Sequence, residues 1–408
     1  MPSWASPSSG PAGKFAKLNT AIGEARLASR VRNMLGVKED PNVKVGINGF
    51  GVMGRLVCKA CQEIEGIDVV AINDPYVDVE YMAYQLQHPG LATGAWAAGP
   101  YQGEIVAENE QLMLDGRPVT VMSEPEPDKI EWVSTGAKYV VDCTGAFNTM
   151  RKASGHFKGG AQKVIVAGAC GEAPQYVMGA NHKTYKNETL VSAGTPANHC
   201  LALLVKAIDE AAAASSSDGG GGIEHCCATI LHASRKLELE KVDAGPSGKG
   251  SADWRSGRGE GIDVIPTVSE AAEMLPRLLP TLAGKVSGMC FRVPAGCESA
   301  RVSCVDLTVS LNEPGMELGK LRNALRDAAS SHALRGKLGY RDDDVSAADF
   351  VGDSRSCIVD GAASLQSSPT LLKLVAWYQV EWPYARRLVE LLLHMQAVDH
   401  GVVADGLL

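Results

Sequence analysis

The sequence predicts an α/β protein in two parts: a parallel, dinucleotide-binding sheet domain followed by a domain of α+β type. Three observations carry this. The apolar run VKVGIN (residues 43–48) leads directly into Gly49-Phe50-Gly51-Val52-Met53-Gly54 and then into the helical pattern GVMGRLVCKACQEI. A second apolar run, IDVVAIND, completes a βαβ unit, which requires parallel strands and a right-handed crossover. Beyond residue 195 the apolar runs HCCATILHA, ARVSCVDLTVSL and LLKLVAWYQ are longer and partly alternating, the pattern of an antiparallel or mixed sheet.

In chain order, residues 1–42 stand apart. MPSWASPSSGPAGK is rich in Ser, Pro and Gly. FAKLNTAIGEARLASRVRNML then reads as an amphipathic helix, with Phe15, Leu18, Ile22, Val31 and Leu35 at helical spacing and basic residues between. The segment is read as an interaction arm, slightly ahead of an organellar transit peptide, whose Ser- and Arg-rich, acid-poor composition it shares. After the βαβ unit, QLMLDGRPVTVM forms two alternating runs around Asp115-Gly116, a hairpin signal. KYVVDCTG and KVIVAG add two buried strands. In SAGTPANHCLALL (192–204), Thr195 suits the N-cap of a helix and Pro196 its first position. AAAASSSDGGGG (211–222) reads as a low-complexity surface loop.

Composition narrows the class. The 408 residues suffice for two full cores, and 45% hydrophobic with 21% charged residues describes a globular chain. A net charge of −8 gives no field to hold a polyanion, so nucleic acid is excluded as the main partner. No apolar run approaches the ~20 residues that span a membrane. The eleven cysteines are scattered and odd in number, which fits an intracellular, reducing compartment. The cytoplasm is placed ahead of an organelle, which the transit-peptide reading of residues 1–42 would favour instead. Cys58 and Cys61 form a CxxC inside a helix rather than at its start, so core packing is the better reading. The nine histidines show no metal-ligand spacing.

The motif GxGxxG is weak alone, but here it follows a strand and opens a helix. Gly49, Gly51 and Gly54 permit a tight turn and close approach of a pyrophosphate to the helix N-terminus. Asp74 ends the next strand at the distance expected for an acceptor of a ribose hydroxyl, which favours NAD over NADP.

The segments VKVGINGFGVMGR, VAINDPYVD, MGANH, GPSGK, WRSGRG, GMCFRVP, VDLTVSL, LGYRDDDVSAADF and LVAWYQVEWPYARRLVELLLHM resemble glyceraldehyde-3-phosphate dehydrogenases, in order, from about Val43 to Met395. The resemblance implies a Rossmann domain over 43–194 and an α+β dehydrogenase catalytic-type domain over 195–383. It also implies a C-terminal helix, within about 384–408, that returns to pack on the first domain. The family is usually a homotetramer, so a homo-oligomer is implied.

The family's active-site string S-N-A-S-C-T-T-N-C-L-A, aligned on Cys200-Leu201-Ala202, puts its nucleophilic cysteine on Pro196. Cys200, one helical turn along, is about 6 Å away by helical rise and poorly placed to substitute. His232 aligns with the catalytic base, where a lone His also persists as a merely packed residue. Two phosphate-binding threonines align with Arg235 and Leu237, while Arg292 matches the phosphate-binding arginine. The second phosphate loop, S-T-G-A-A-K, reads Val268-Ser269-Glu270-Ala271-Ala272-Glu273, which keeps Ser269 but adds two acids. Asn48, Gly49, Gly51, Gly54, Asp74, Thr144 and Gly145 match cofactor positions, whereas the nicotinamide-holding asparagine aligns with Val380 and the arginine after GFG with Val52. NAD is then held weakly, through backbone and ribose contacts.

The resulting expectation is a catalytically inactive member of the family, reused as a structural or interaction subunit with other protein subunits as partners, the N-terminal extension supplying the contact. Two alternatives stand beside it: an NAD-dependent oxidoreductase with an altered substrate, using His232 as base, and a binding module regulated by NAD.

Overall fold

The computed structural model describes residues 42–89, 98–108, 111–216, 221–235, 263–295 and 302–401. The N-terminal arm and Leu237 lie outside the described residues.

The first sheet contains β1 (Val43–Asn48), β2 (Ile67–Asn73), β3 (Ile105–Glu108), β4 (Gln111–Leu114), β5 (Arg117–Met122), β6 (Tyr139–Asp142), β7 (Lys163–Val166) and β8 (Leu190–Ser192), in the order β3-β4-β5-β2-β1-β6-β7-β8. Its central pairs are parallel, and β3–β4 and β4–β5 are antiparallel. Asp115 and Gly116 link β4 to β5 with φ of 51° and 73°, the two positive values that match a hairpin turn to the strand twist. The crossover helix α1 (Val52–Glu63) buries Leu56, Val57, Cys58, Ala60 and Cys61 against the sheet. Both thiols of the CxxC are buried in this core, and burial pushes that of Cys58 up to about 12. A second helix, α2 (Val79–Gln87), starts from an Asp78 cap that accepts from Tyr81 N.

The 20-residue helix α3 (Pro196–Ser215) carries the chain into the second half. There β9 (Ile223–Arg235), β10 (Ile265–Val268), β11 (Val286–Ala295), β12 (Val302–Leu311), β13 (Leu338–Arg341), β14 (Cys357–Gln366) and β15 (Leu371–Gln379) form one sheet, ordered β10-β11-β9-β12-β15-β14-β13. It is mixed: β9–β11 and β13–β14 run parallel and the other pairs antiparallel. Helices α3, α4 (Glu270–Leu278) and α5 (Leu318–Ser330) share one core with the inner face of this sheet. The structure corrects the reading of residues 211–222 as loop over 211–215; Ser216, Gly221 and Gly222 lie outside helix and strand, and 217–220 lie outside the described residues. The run Ala211–Ala214 continues α3 to Ser215, and Ala212 is buried, because alanine has the highest helix propensity of any residue.

The last helix, α6 (Trp382–Asp399), begins two residues before the expected position and ends at 399. It packs on the first half: Trp382, Tyr384, Leu388, Leu392 and Met395 join Leu56 and Val57 in one cluster. Its C-terminal end is fixed by Asp399, which accepts from the hydroxyls of Tyr139 and Tyr185 (both 2.9 Å) and pairs with buried Lys163 at 3.3 Å. Among the described residues no helix is long and apolar enough to cross a membrane.

Two buried histidines make this packing sensitive to acid. Burial, then His394 and Lys337, hold His182 at about 3, and burial holds His199 at about 4. Both titrate near 6.5 in an unfolded chain, so between that pH and the folded values the unfolded state binds more protons. Stability therefore falls as pH drops below about 6.5, by up to ~1.4 kcal/mol per pH unit for each group. Urea midpoints at pH 7.5 and 5.0 should show the fall, and His182→Asn, which retains an acceptor for Gly179 N, should shrink it. Equal midpoints at the two pH values would contradict this account.

Candidate functional site

β1 lies at the centre of its sheet with β2 on one side and β6 on the other, so the strand order reverses there. In open α/β sheets the crevice at such a reversal, beyond the carboxyl ends of the strands, takes the ligand. Here the chain turns at Gly49, with φ of 85° and its N–H donated to Asn73 O at 2.7 Å. A Cβ on Gly54 would lie 2.0 Å from the Gly49 carbonyl oxygen, so only glycine lets α1 start this close to β1. Gly51 is the N-cap of α1, with no side-chain cap and nothing within 4 Å of where its Cβ would be. An uncapped helix start facing open space suits a pyrophosphate, whose charge the first-turn N–H groups and the helix dipole favour. Asp74 accepts from Phe50 N (2.7 Å, Oδ2) and Tyr76 N (2.9 Å, Oδ1), which fixes the turn. Each carboxylate oxygen keeps a lone pair for a ribose hydroxyl.

Beneath this turn lies a buried polar network. Asp142, 1% exposed, accepts four hydrogen bonds: from Asn48 Nδ2 (3.0 Å) and His156 Nε2 (2.9 Å) on Oδ2, and from Thr144 N (3.0 Å) and Thr144 Oγ1 (2.7 Å) on Oδ1. Asn48 in turn accepts from Asn73 Nδ2 at 2.8 Å. The side chains of Asn48 and Thr144 thus face this network, leaving backbone to line the crevice together with Gly145, whose φ is 69°. Of these residues Asn73, Asp142 and His156 escaped the motif reading. Their one local signal is an acid ending the apolar strand KYVVD.

The second half of the site begins at α3. Thr195 Oγ1 accepts from Asn198 N (3.3 Å) and Asn198 Oδ1 accepts from Thr195 N (3.0 Å), a capping box with Pro196 at the first helical position. Cys200 is a fully buried free thiol beside Cys357, and burial holds it well above the usual thiol range. It has no thiolate to offer. His232, on β9, is level with Arg292 on parallel β11, and its Nδ1 lies 3.2 Å from Ser303 Oγ. Burial, then the charge of Arg292, lower its pKa, so the imidazole is neutral at physiological pH. Ser269 is 2% exposed and caps α4, accepting from Ala272 N at 3.2 Å. Glu270 and Glu273 occupy the exposed first turn of α4, where acids complement the helix dipole. Val380 packs against the second core, and the Arg235 side chain lies outside the described residues.

Comparison with known proteins agrees with this two-part layout. Residues 43–150 match the family model described as glyceraldehyde 3-phosphate dehydrogenase, NAD binding domain, and residues 197–380 match glyceraldehyde 3-phosphate dehydrogenase, C-terminal domain. A glyceraldehyde-3-phosphate dehydrogenase of Danio rerio is 40% identical over 358 residues, covering 88% of this chain and 100% of the relative. Glyceraldehyde-3-phosphate dehydrogenase 2 of Agaricus bisporus is 39% identical over 88% of this chain and 98% of its own length. A chloroplastic glyceraldehyde-3-phosphate dehydrogenase of Arabidopsis thaliana is 41% identical over 87% of this chain and 78% of its own. With an NAD-binding domain, a matching C-terminal domain and relatives of this identity along nearly nine-tenths of its length, the chain belongs to the glyceraldehyde 3-phosphate dehydrogenase family.

Proposed function

We propose that this family member binds NAD but does not run the family's covalent chemistry, and that it serves as a structural or interaction subunit of a larger assembly. One observation carries the reading: Pro196 occupies the start of α3, and the nearest thiol along the helix, Cys200, is sealed in the core against Cys357. In the covalent route a thiolate adds to the aldehyde carbon, and the hemithioacetal so formed passes hydride to NAD and becomes a thioester. A proline ring offers no electron pair for the first step. Loss of a covalent nucleophile costs on the order of 10⁶ in rate in a well-studied protease.

Two further features support the reading. Glu270 and Glu273 place negative charge where the resemblance puts a substrate phosphate, and like charges oppose binding. Val380 offers no hydrogen bond to a nicotinamide amide. Each such loss is worth ~0.5–1.5 kcal/mol, about tenfold in affinity at most. NAD therefore binds weakly, through the α1 N-terminus and Asp74, and residues 1–42 supply the contact to other subunits. The neutral His232 beside Arg292 favours a second reading, a non-covalent oxidoreductase with an altered anionic substrate.

Pro196→Cys should bind NAD as the parent chain does and turn over glyceraldehyde 3-phosphate at least ~10²-fold more slowly than a family enzyme, since a restored thiol still lacks a placed substrate. Family-like turnover from that single change would show that the secondary losses are unimportant. Removing residues 1–42 should leave the body folded yet abolish its co-purification with other proteins from native cells. Unchanged association would move the interface onto the body.

A further inference from the structure

His156 is fully buried, 24 residues from Trp132 and 14 from Asp142, and it touches both. Trp132 Nε1 donates to His156 Nδ1 at 3.1 Å. An indole N–H is a donor only, so Nδ1 is an acceptor, and Nε2 carries the proton that His156 donates to Asp142. Trp132 itself is seated by Gly46 of β1, where a Cβ would fall 2.5 Å from the indole ring. The His156 ring also meets Phe147, at the end of the Thr144 loop, edge-on at 6.2 Å.

Asp142 is the common anchor of the two walls of the crevice. One wall is the turn after β1, held through Asn48. The other is the loop after β6, held through both donors of Thr144. The walls meet directly as well: Cys143 N donates to Asn48 O at 2.8 Å, and a Cβ on Gly49 would lie 2.8 Å from Thr144 Cγ2. Without the His156 donor, the carboxylate would rotate to seek another partner and loosen one wall or the other.

We infer that His156, oriented by Trp132, is a positioning residue for the cofactor crevice, fixing the Asp142 carboxylate so that the Gly49 turn and the Thr144 loop keep their spacing. It touches no cofactor and acts through Asp142 alone. The effect on NAD rests on the cofactor reading above; the effect on the two walls does not.

Hydrogen exchange of the chain without cofactor, together with calorimetric NAD titration, separates the two. In His156→Phe, exchange of residues 48–51 and 143–146 should rise about tenfold, as expected for loss of a hydrogen bond to a buried charge, with β12 as the unchanged reference. The NAD dissociation constant should rise by a similar factor. His156→Gln places an amide N–H and an amide oxygen between the same two partners and should return both readouts to within about twofold of the parent. Trp132→Phe should fall between them, and it carries the test if His156→Phe does not fold. Equal rises across all segments would reduce His156 to a packing residue, and unchanged exchange of the two walls in His156→Phe or Trp132→Phe would overturn the inference. Altered walls in His156→Phe, beside a parent chain that takes up no NAD at millimolar concentration, would refute the cofactor reading and leave the positioning role standing.

Discussion

The turn from Gly194 to Asn198 ties the last strand of the first sheet to α3, α4 and α6. Gly194 N is held by Ser192 Oγ at 3.0 Å, which ties the turn to the last strand of the first sheet. The Gly194 carbonyl accepts from Tyr384 Oη at 2.6 Å, which brings in α6. Thr195 and Asn198 close the start of α3 on each other, and Asn198 Nδ2 donates to Ala271 O at 3.1 Å, which brings in α4. A proline in this turn is well matched to its place. Its N–H would have been unpaired at the first helical position, and its fixed φ is already helical. The position therefore works for the fold while offering nothing to an aldehyde.

Electrostatics divide the molecule along the same line. The first half offers an uncapped helix start, a carboxylate at the end of β2, and a buried acid bonded to both Asn48 and Thr144. In the second half the neutral His232 and Arg292 stand beside each other, but the first turn of α4 carries two acids and Ser269 is engaged as a cap.

Much of this was legible in the sequence because it is local. The βαβ unit, the Asp115-Gly116 hairpin and the Thr195-Pro196 helix start each depend on residues within a few positions of one another, and the structure has them where the pattern puts them. The Ala-rich stretch misled because the same composition suits a loop and a helix end, and packing of Ala212 on the second core decides it. The Asp142 network was illegible for another reason. Asn48, Asn73, Trp132, Asp142 and His156 come from separate elements, and only the assembled fold brings them together. Ser269, matched to a phosphate loop from the sequence, also caps α4, its Oγ accepting from Ala272 N.

The central claim is that no thioester forms on this chain. The most direct test incubates the full-length protein with NAD, glyceraldehyde 3-phosphate and inorganic phosphate, then follows absorbance of the reduced cofactor and intact protein mass in the same sample. The account predicts no reduced cofactor above the protein-free control and no acyl mass on any cysteine. Reduced cofactor appearing together with a hydroxylamine-sensitive acyl adduct, on Cys200 or elsewhere, would contradict it.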